Sequence, residues 1–151
     1  MRVSAKADYA VRAAVELAAA GDGPVKGDRI AAAQSIPPNF LENILADLRN
    51  GGLVASRRGA DGGYWLARPA DEISVADVIR AVDGPLAAVR GQRSEKVVYE
   101  GSAASLREVW VAVRASLRNV LEHVTLADVA AGRLPAEVQA LVDDPDAWAP
   151  H

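Results

Sequence analysis

The sequence predicts a mainly α-helical chain with one small β-hairpin, and three observations carry that expectation. Apolar residues recur at helical spacing in most segments between the Gly/Pro breakers. Two short extended runs, 53–58 and 64–69, flank the stretch Gly59-Ala60-Asp61-Gly62-Gly63. An apolar stripe over residues 102 to about 131 is longer than one small domain needs to bury.

Taken in order, residues 4–20 read as a helix: Ser4 is a suitable N-cap, and Tyr9, Ala10, Ala13, Ala14, Leu17 and Ala18 recur on one side. Gly21-Asp22-Gly23-Pro24 ends it. A short helix near 27–34 offers Ile30, Ala31 and Ala33 for packing, with Asp28 near its positive end. After Gln34-Ser35-Ile36, the pair Pro37-Pro38 opens a third helix, because proline suits a helix's first turn. Its apolar stripe is Phe40, Leu41, Ile44, Leu45 and Leu48, and Gly51-Gly52 closes it. The hairpin follows and ends at Pro69. Ser74 with Asp77 three residues on resembles a capping box for the next helix, which carries Val75, Val78, Ile79 and Val82 and stops at Gly84-Pro85.

Residues 86–101 are the least regular part, and Arg90, Arg93 and Tyr99 there form a candidate effector region, with a plain connecting loop as the alternative. In the long pattern beyond, Leu106, Val109, Trp110, Val113, Leu117, Val120, Leu121 and Val124 step by three or four or sit adjacent. Such a narrow stripe fits a seam for the same helix of a second subunit. A short helix near 135–142 precedes the acidic tail Asp143-Asp144-Pro145-Asp146. The expected organisation is therefore a head at 1–84, a connection at 85–101, a dimerisation helix with a short terminal helix at 102–142, and a tail at 143–151.

Composition narrows the function. The 151 residues contain no cysteine and two histidines, which excludes disulfides and cysteine-ligated clusters and leaves no candidate metal site. No apolar run approaches the roughly 20 residues that span a bilayer, and the N-terminus lacks a signal-peptide core, so a cytoplasmic protein without a membrane partner is expected. Net charge is −3, yet it is unevenly spread. Residues 1–70 carry nine Lys/Arg against seven Asp/Glu, whereas 71–151 carry eight against thirteen. A positive half beside a negative one fits a chain whose first half meets phosphates.

The order helix, helix, turn, helix, hairpin is that of a winged helix-turn-helix, in which a helix enters the major groove of double-stranded DNA and a β-ribbon lies alongside. The helix at 37–50 would read bases through Pro38, Asn39, Glu42 and Asn43, since Asn pairs with adenine N6/N7 and Glu accepts from cytosine N4. Arg49, Arg57 and Arg58, the wing glycines Gly59, Gly62 and Gly63, and Lys6 and Arg12 of the first helix are the expected backbone contacts. Nothing resembles a nucleophile–base pair or a phosphate cradle, so an enzyme is not expected. A winged helix reused as a protein–protein scaffold is the alternative, motivated by the acidic second half.

Several stretches are similar to the IscR/NsrR/CymR family of bacterial winged-helix regulators. They are Lys6-Ala7-Asp8-Tyr9-Ala10, Phe40-Leu41-Glu42-Asn43-Ile44-Leu45, Arg58-Gly59-Ala60-Asp61-Gly62-Gly63-Tyr64, Ile73 to Ile79, and Val124-Thr125-Leu126-Ala127-Asp128. The resemblance spans roughly 130 residues in register. It implies a homodimer crossed through the long helix, acting on a pseudo-palindromic operator, usually as a repressor. Cluster-binding relatives carry three cysteines and often a histidine before the long helix; the matching positions here are Gln92, Val98, Ala104 and Arg107. The resemblance thus implies a cluster-free branch whose effector, if it has one, is unknown.

Overall fold

The computed structural model describes all residues, 1–151. The chain forms seven α-helices and one hairpin: α1 (Ala5–Ala20), α2 (Gly27–Gln34), α3 (Pro38–Asn50), β1 (Val54–Arg57), β2 (Gly63–Leu66), α4 (Val75–Asp83), α5 (Leu106–Leu121), α6 (Leu126–Ala131) and α7 (Ala136–Asp143). This is the mainly α fold with a small hairpin that the sequence predicts. Local chemistry sets the boundaries. Ser4 Oγ accepts from the Ala7 N–H at 2.9 Å and starts α1. Ser35, at φ 52°, makes the left-handed turn that separates α2 from α3. Ser74 and Asp77 form the expected capping box, each side chain accepting from the other's backbone N–H.

The core sits where α1, α2, α3 and α4 meet. Leu17, Ile30, Ile44, Leu45, Leu48 and Ile73 are essentially fully buried there. Each contributes about 1.5–3 kcal/mol relative to staying exposed. The hairpin pairs antiparallel, Val54 opposite Leu66 and Arg57 opposite Gly63. On the other edge of β2 an isolated bridge joins Val25 to Tyr64, with both N–H···O bonds at 2.8 Å. The wing is therefore tied to the segment just before α2.

Five expectations need correction. Ala33 is exposed; only Ile30 and Ala31 of α2 enter the core. Phe40 is 59% exposed instead of buried with its stripe, because it lies about a quarter turn around α3 from the side formed by Leu41, Ile44, Leu45 and Leu48. The long pattern is also not one helix. It ends at Leu121, turns at 122–125, and restarts as α6 behind a second capping box, Thr125 with Asp128. The turn pairs with α4's start through the Ser74–Thr125 bridge, and Leu126 lies at 0% exposure in the head's core. Val124 is likewise buried within its own chain, at 6% exposure, so it is not part of an exposed seam. The segment 102–142 is thus not separate from the head: the chain leaves it along α5 and returns through α6.

Candidate nucleic-acid interface

Successive residues of a helix turn by about 100°. With Leu41, Ile44, Leu45 and Leu48 of α3 against the core, Asn39, Asn43 and Asn50 fall on the opposite side, and all are exposed. Glu42 and Arg49 lie on the flank toward the wing, and Phe40 and Asp47 on the flank toward α1. Asn39, Glu42 and Asn43 make no hydrogen bond within the fold beyond their backbone groups, so their side-chain donors and acceptors point to solvent. Pro38 stands in the first turn beside them, exposed.

On one flank α1 grips this helix. Lys6 Nζ stands 2.6 Å from Asp47 Oδ2. The rings of Tyr9 and Phe40 meet at 6.3 Å, and Arg12 lies 4.9 Å from the centre of the Tyr9 ring. Arg12 also bonds Asp8, with Nη2 at 2.9 Å, and donates to the Gln34 carbonyl. Lys6 and Arg12, expected to contact phosphates, are engaged in holding α1 to α3 and α2.

On the other flank the wing closes a groove of about 450 Å³ between α3 and β1. Arg49 Nη1 donates to Ser56 Oγ at 3.2 Å, and Arg57 Nη2 donates to the Asp61 carbonyl at 3.1 Å. Arg58 is exposed and makes no side-chain hydrogen bond or ion pair in the fold. Lys26, which the sequence reading passed over, donates to the Gly59 carbonyl at 2.6 Å and adds a cation to the same groove. Its signal was its place one residue before a helix of the head, visible only once the Val25–Tyr64 bridge brings that residue under the wing.

The wing glycines have structural duties. A Cβ at Gly62 would lie 2.0 Å from the Arg57 carbonyl oxygen, and one at Gly63 would lie 2.7 Å from the Val25 carbonyl oxygen. Gly63 also sits at φ 146°, and Gly59 at φ 104°. Only Gly59 has open space where its Cβ would be.

In the candidate effector region, the structure brings Arg90 and Tyr99 together, the guanidinium 6.0 Å from the ring centre. The Trp110 indole N–H donates to the Tyr99 hydroxyl at 3.0 Å, so this segment is fastened to α5. Arg93 lies apart from them, over a cleft against α4 and α5.

A polar helix face, framed by a first helix and by a cationic wing, defines a winged helix-turn-helix DNA-binding regulator. The family model described as "Rrf2: Iron-dependent Transcriptional regulator" matches residues 3–132, and the chain belongs to that family. A Mycobacterium tuberculosis protein whose name carries "HTH-type transcriptional regulator" is 58% identical over 145 residues, 95% of this chain and 90% of that one. Among solved structures, that of CymR, the global cysteine regulator of B. subtilis, superimposes with a TM-score of 0.73 at 34% identity, covering 87% of this chain and 98% of its own. The T. potens IscR structure gives 0.69 at 35% identity, covering 100% of this chain and 93% of its own. The family comprises transcriptional regulators, not enzymes.

The family description implies iron, but the residues here do not fit an iron–sulfur cluster. Gln92, Val98, Ala104 and Arg107 offer neither thiolate nor imidazole, and the chain holds no cysteine anywhere.

Proposed function

We propose that the chain acts as a homodimer on a pseudo-palindromic operator and represses transcription there, without an iron–sulfur cluster and in the cytoplasm. The observation that carries the reading is the unpartnered polar crown of α3, Asn39, Glu42 and Asn43, set beside the free cation of Arg58. The dimer is supported by α5. Not one of its residues is buried in the single chain, although Leu106, Val109, Trp110, Val113, Leu117, Val120 and Leu121 all lie on it. Val109 is 50% exposed. A second α5 related by a two-fold axis would cover that stripe. It would also place two reading heads on half-sites about one helical turn apart.

Selection of bound fragments from random DNA tests the reading directly. The expected product is an inverted repeat, bound with an affinity that falls steeply as salt rises, because phosphate contacts release counterions. Fragments with no shared half-site, or an affinity indifferent to salt, would sink it. A reporter gene placed behind the selected site should be silenced when the protein is present.

A further inference from the structure

A second cationic site lies outside the α3 face, between α4 and α5. Between the end of α4, residues 84–95 and α5 is a cleft of about 540 Å³. It is lined by Arg80, Arg93, Arg114 and Arg118, with Glu95 and Glu122 as the only carboxylates. Arg80 and Arg118 share one oxygen of Glu122, and Arg114 pairs with Glu95. The Arg93 side chain makes no hydrogen bond or ion pair, its carbonyl alone accepting from the Lys96 N–H at 2.9 Å. Four guanidinium groups against two carboxylates leave an excess of two positive charges. Most of the N–H donors on these arginines have no protein acceptor.

The carboxylates stay ionised near neutrality. The hydrogen bonds from Arg80 and Arg118 hold Glu122 below its ordinary value, and a backbone hydrogen bond followed by Arg114 does the same for Glu95. The excess charge is therefore not inflated by hidden acid groups. Nor is the site a loose surface patch. Ser94, between Arg93 and Glu95, is at 0% exposure and its hydroxyl donates to the Ala87 carbonyl at 2.7 Å. That bond fixes the turn from which Arg93 projects, and such preorganisation lowers the cost of binding. Arg114 and Arg118 lie one turn apart on α5, roughly a third of a turn around from the apolar stripe.

We propose that this cleft binds a small oxyanion carrying two or more negative charges. Guanidinium forks match both phosphate and carboxylate oxygens. An occupant would clamp Arg80 of α4, and with it the head, to Arg114 and Arg118 of α5, the stripe-bearing helix. The site would then report a phosphorylated or multiply carboxylated small molecule to the DNA-binding face. This regulatory part rests on the gene-regulator reading; the binding part does not.

The test is calorimetric titration of the full chain, without DNA and at constant ionic strength, with pyrophosphate and separately with citrate. Saturable binding of one or both is expected, and which probe binds tells phosphate chemistry from carboxylate chemistry. Arg93→Gln, which breaks no bond in the fold, should weaken it about tenfold or more. Arg58→Gln, on the wing, should leave it unchanged. No saturable binding, equal affinity in Arg93→Gln, or loss in Arg58→Gln overturns the site. With the probe bound, affinity for a selected operator should shift several-fold in the native chain and not in Arg93→Gln. An unshifted operator affinity overturns the regulatory part. Failure to bind any DNA, with anion binding intact, would defeat the proposed function and leave the site standing.

Discussion

Lys6 on α1 and Asp47 on α3 form an ion pair of 2.6 Å that fixes the flank of the reading helix. Both side chains are more than a third exposed, so the pair contributes no more than about 1 kcal/mol to stability. Its consequence is functional: a lysine neutralised by its own chain is a poor phosphate ligand, whereas Arg58 is free. Arg58→Ala should reduce the slope of log affinity against log salt by about one, and weaken binding to all sequences alike. Lys6→Ala should leave that slope nearly unchanged. Equal slope changes in the two variants would show that Lys6 abandons Asp47 for the duplex.

Asn43 stands opposite the buried side of α3 with its amide unpaired. Asn43→Ala should lower discrimination at a single base pair of each half-site by about 1–3 kcal/mol, most simply an A·T pair. Affinity for non-specific DNA should hardly change. Competition against single-base operator variants reads this out. A uniform loss over all operator positions would mean that Asn43 contacts the backbone instead.

The wing offers a separation of folding from binding. Gly62→Ala would force a Cβ to within 2.0 Å of the Arg57 carbonyl oxygen, so the strand ends must part. The helical core does not run through Gly62. Operator affinity should therefore drop at least tenfold while circular dichroism keeps most of its helical signal. Retention of native affinity would mean that the wing tip does not touch DNA.

Much of this was readable from local chemistry. Periodicity marked α1 to α4, Ser74 and Asp77 marked a helix start, and the glycines at 59, 62 and 63 marked the hairpin. The break after Leu121 was missed because no Gly or Pro interrupts residues 117–131. Its signal was Thr125 three residues ahead of Asp128, the same capping device as Ser74 and Asp77, hidden inside a continuing apolar pattern. The pairing of Lys6 with Asp47, the hold of Arg12 on Gln34, and the exposure of Phe40 depend on residues far apart in the chain. The glycines mark the wing in the sequence, but that the fold's own backbone leaves no room for a Cβ at Gly62 and Gly63 shows only in the structure.

Leu117 lies midway along the α5 stripe and is only half-buried in the single chain. Leu117→Asp would set a charge into the proposed seam, and a charge buried without a partner is strongly destabilising there. Sedimentation should then show monomers that keep their helical signal. Operator affinity should fall far more than the affinity of one head for a half-site, since two linked heads bind together. A persistent dimer in Leu117→Asp would place the subunit contact elsewhere.

Glu122 supplies the acid-side prediction. Its carboxylate is hydrogen-bonded first by Arg80 of α4 and then by Arg118 of α5, which lowers its pKa in the folded chain below the ordinary 4.5. A carboxyl whose folded pKa is depressed stabilises the fold above its unfolded pKa, and that contribution is lost as pH falls through the folded value. The native chain should therefore unfold at higher urea than Glu122→Gln at pH 7. The difference should persist unchanged down to about pH 5 and shrink steadily below 4.5 as the native carboxyl takes up its proton. Because Glu122 joins the head to the stripe-bearing helix, the same acid range should loosen α5 before the core melts. Trp110 fluorescence, read in a variant with Trp65 and Trp148 replaced by Phe, should then change ahead of the helical signal. A stability gap that stays constant to pH 3 would mean that Arg80 and Arg118 do not hold this carboxylate in solution.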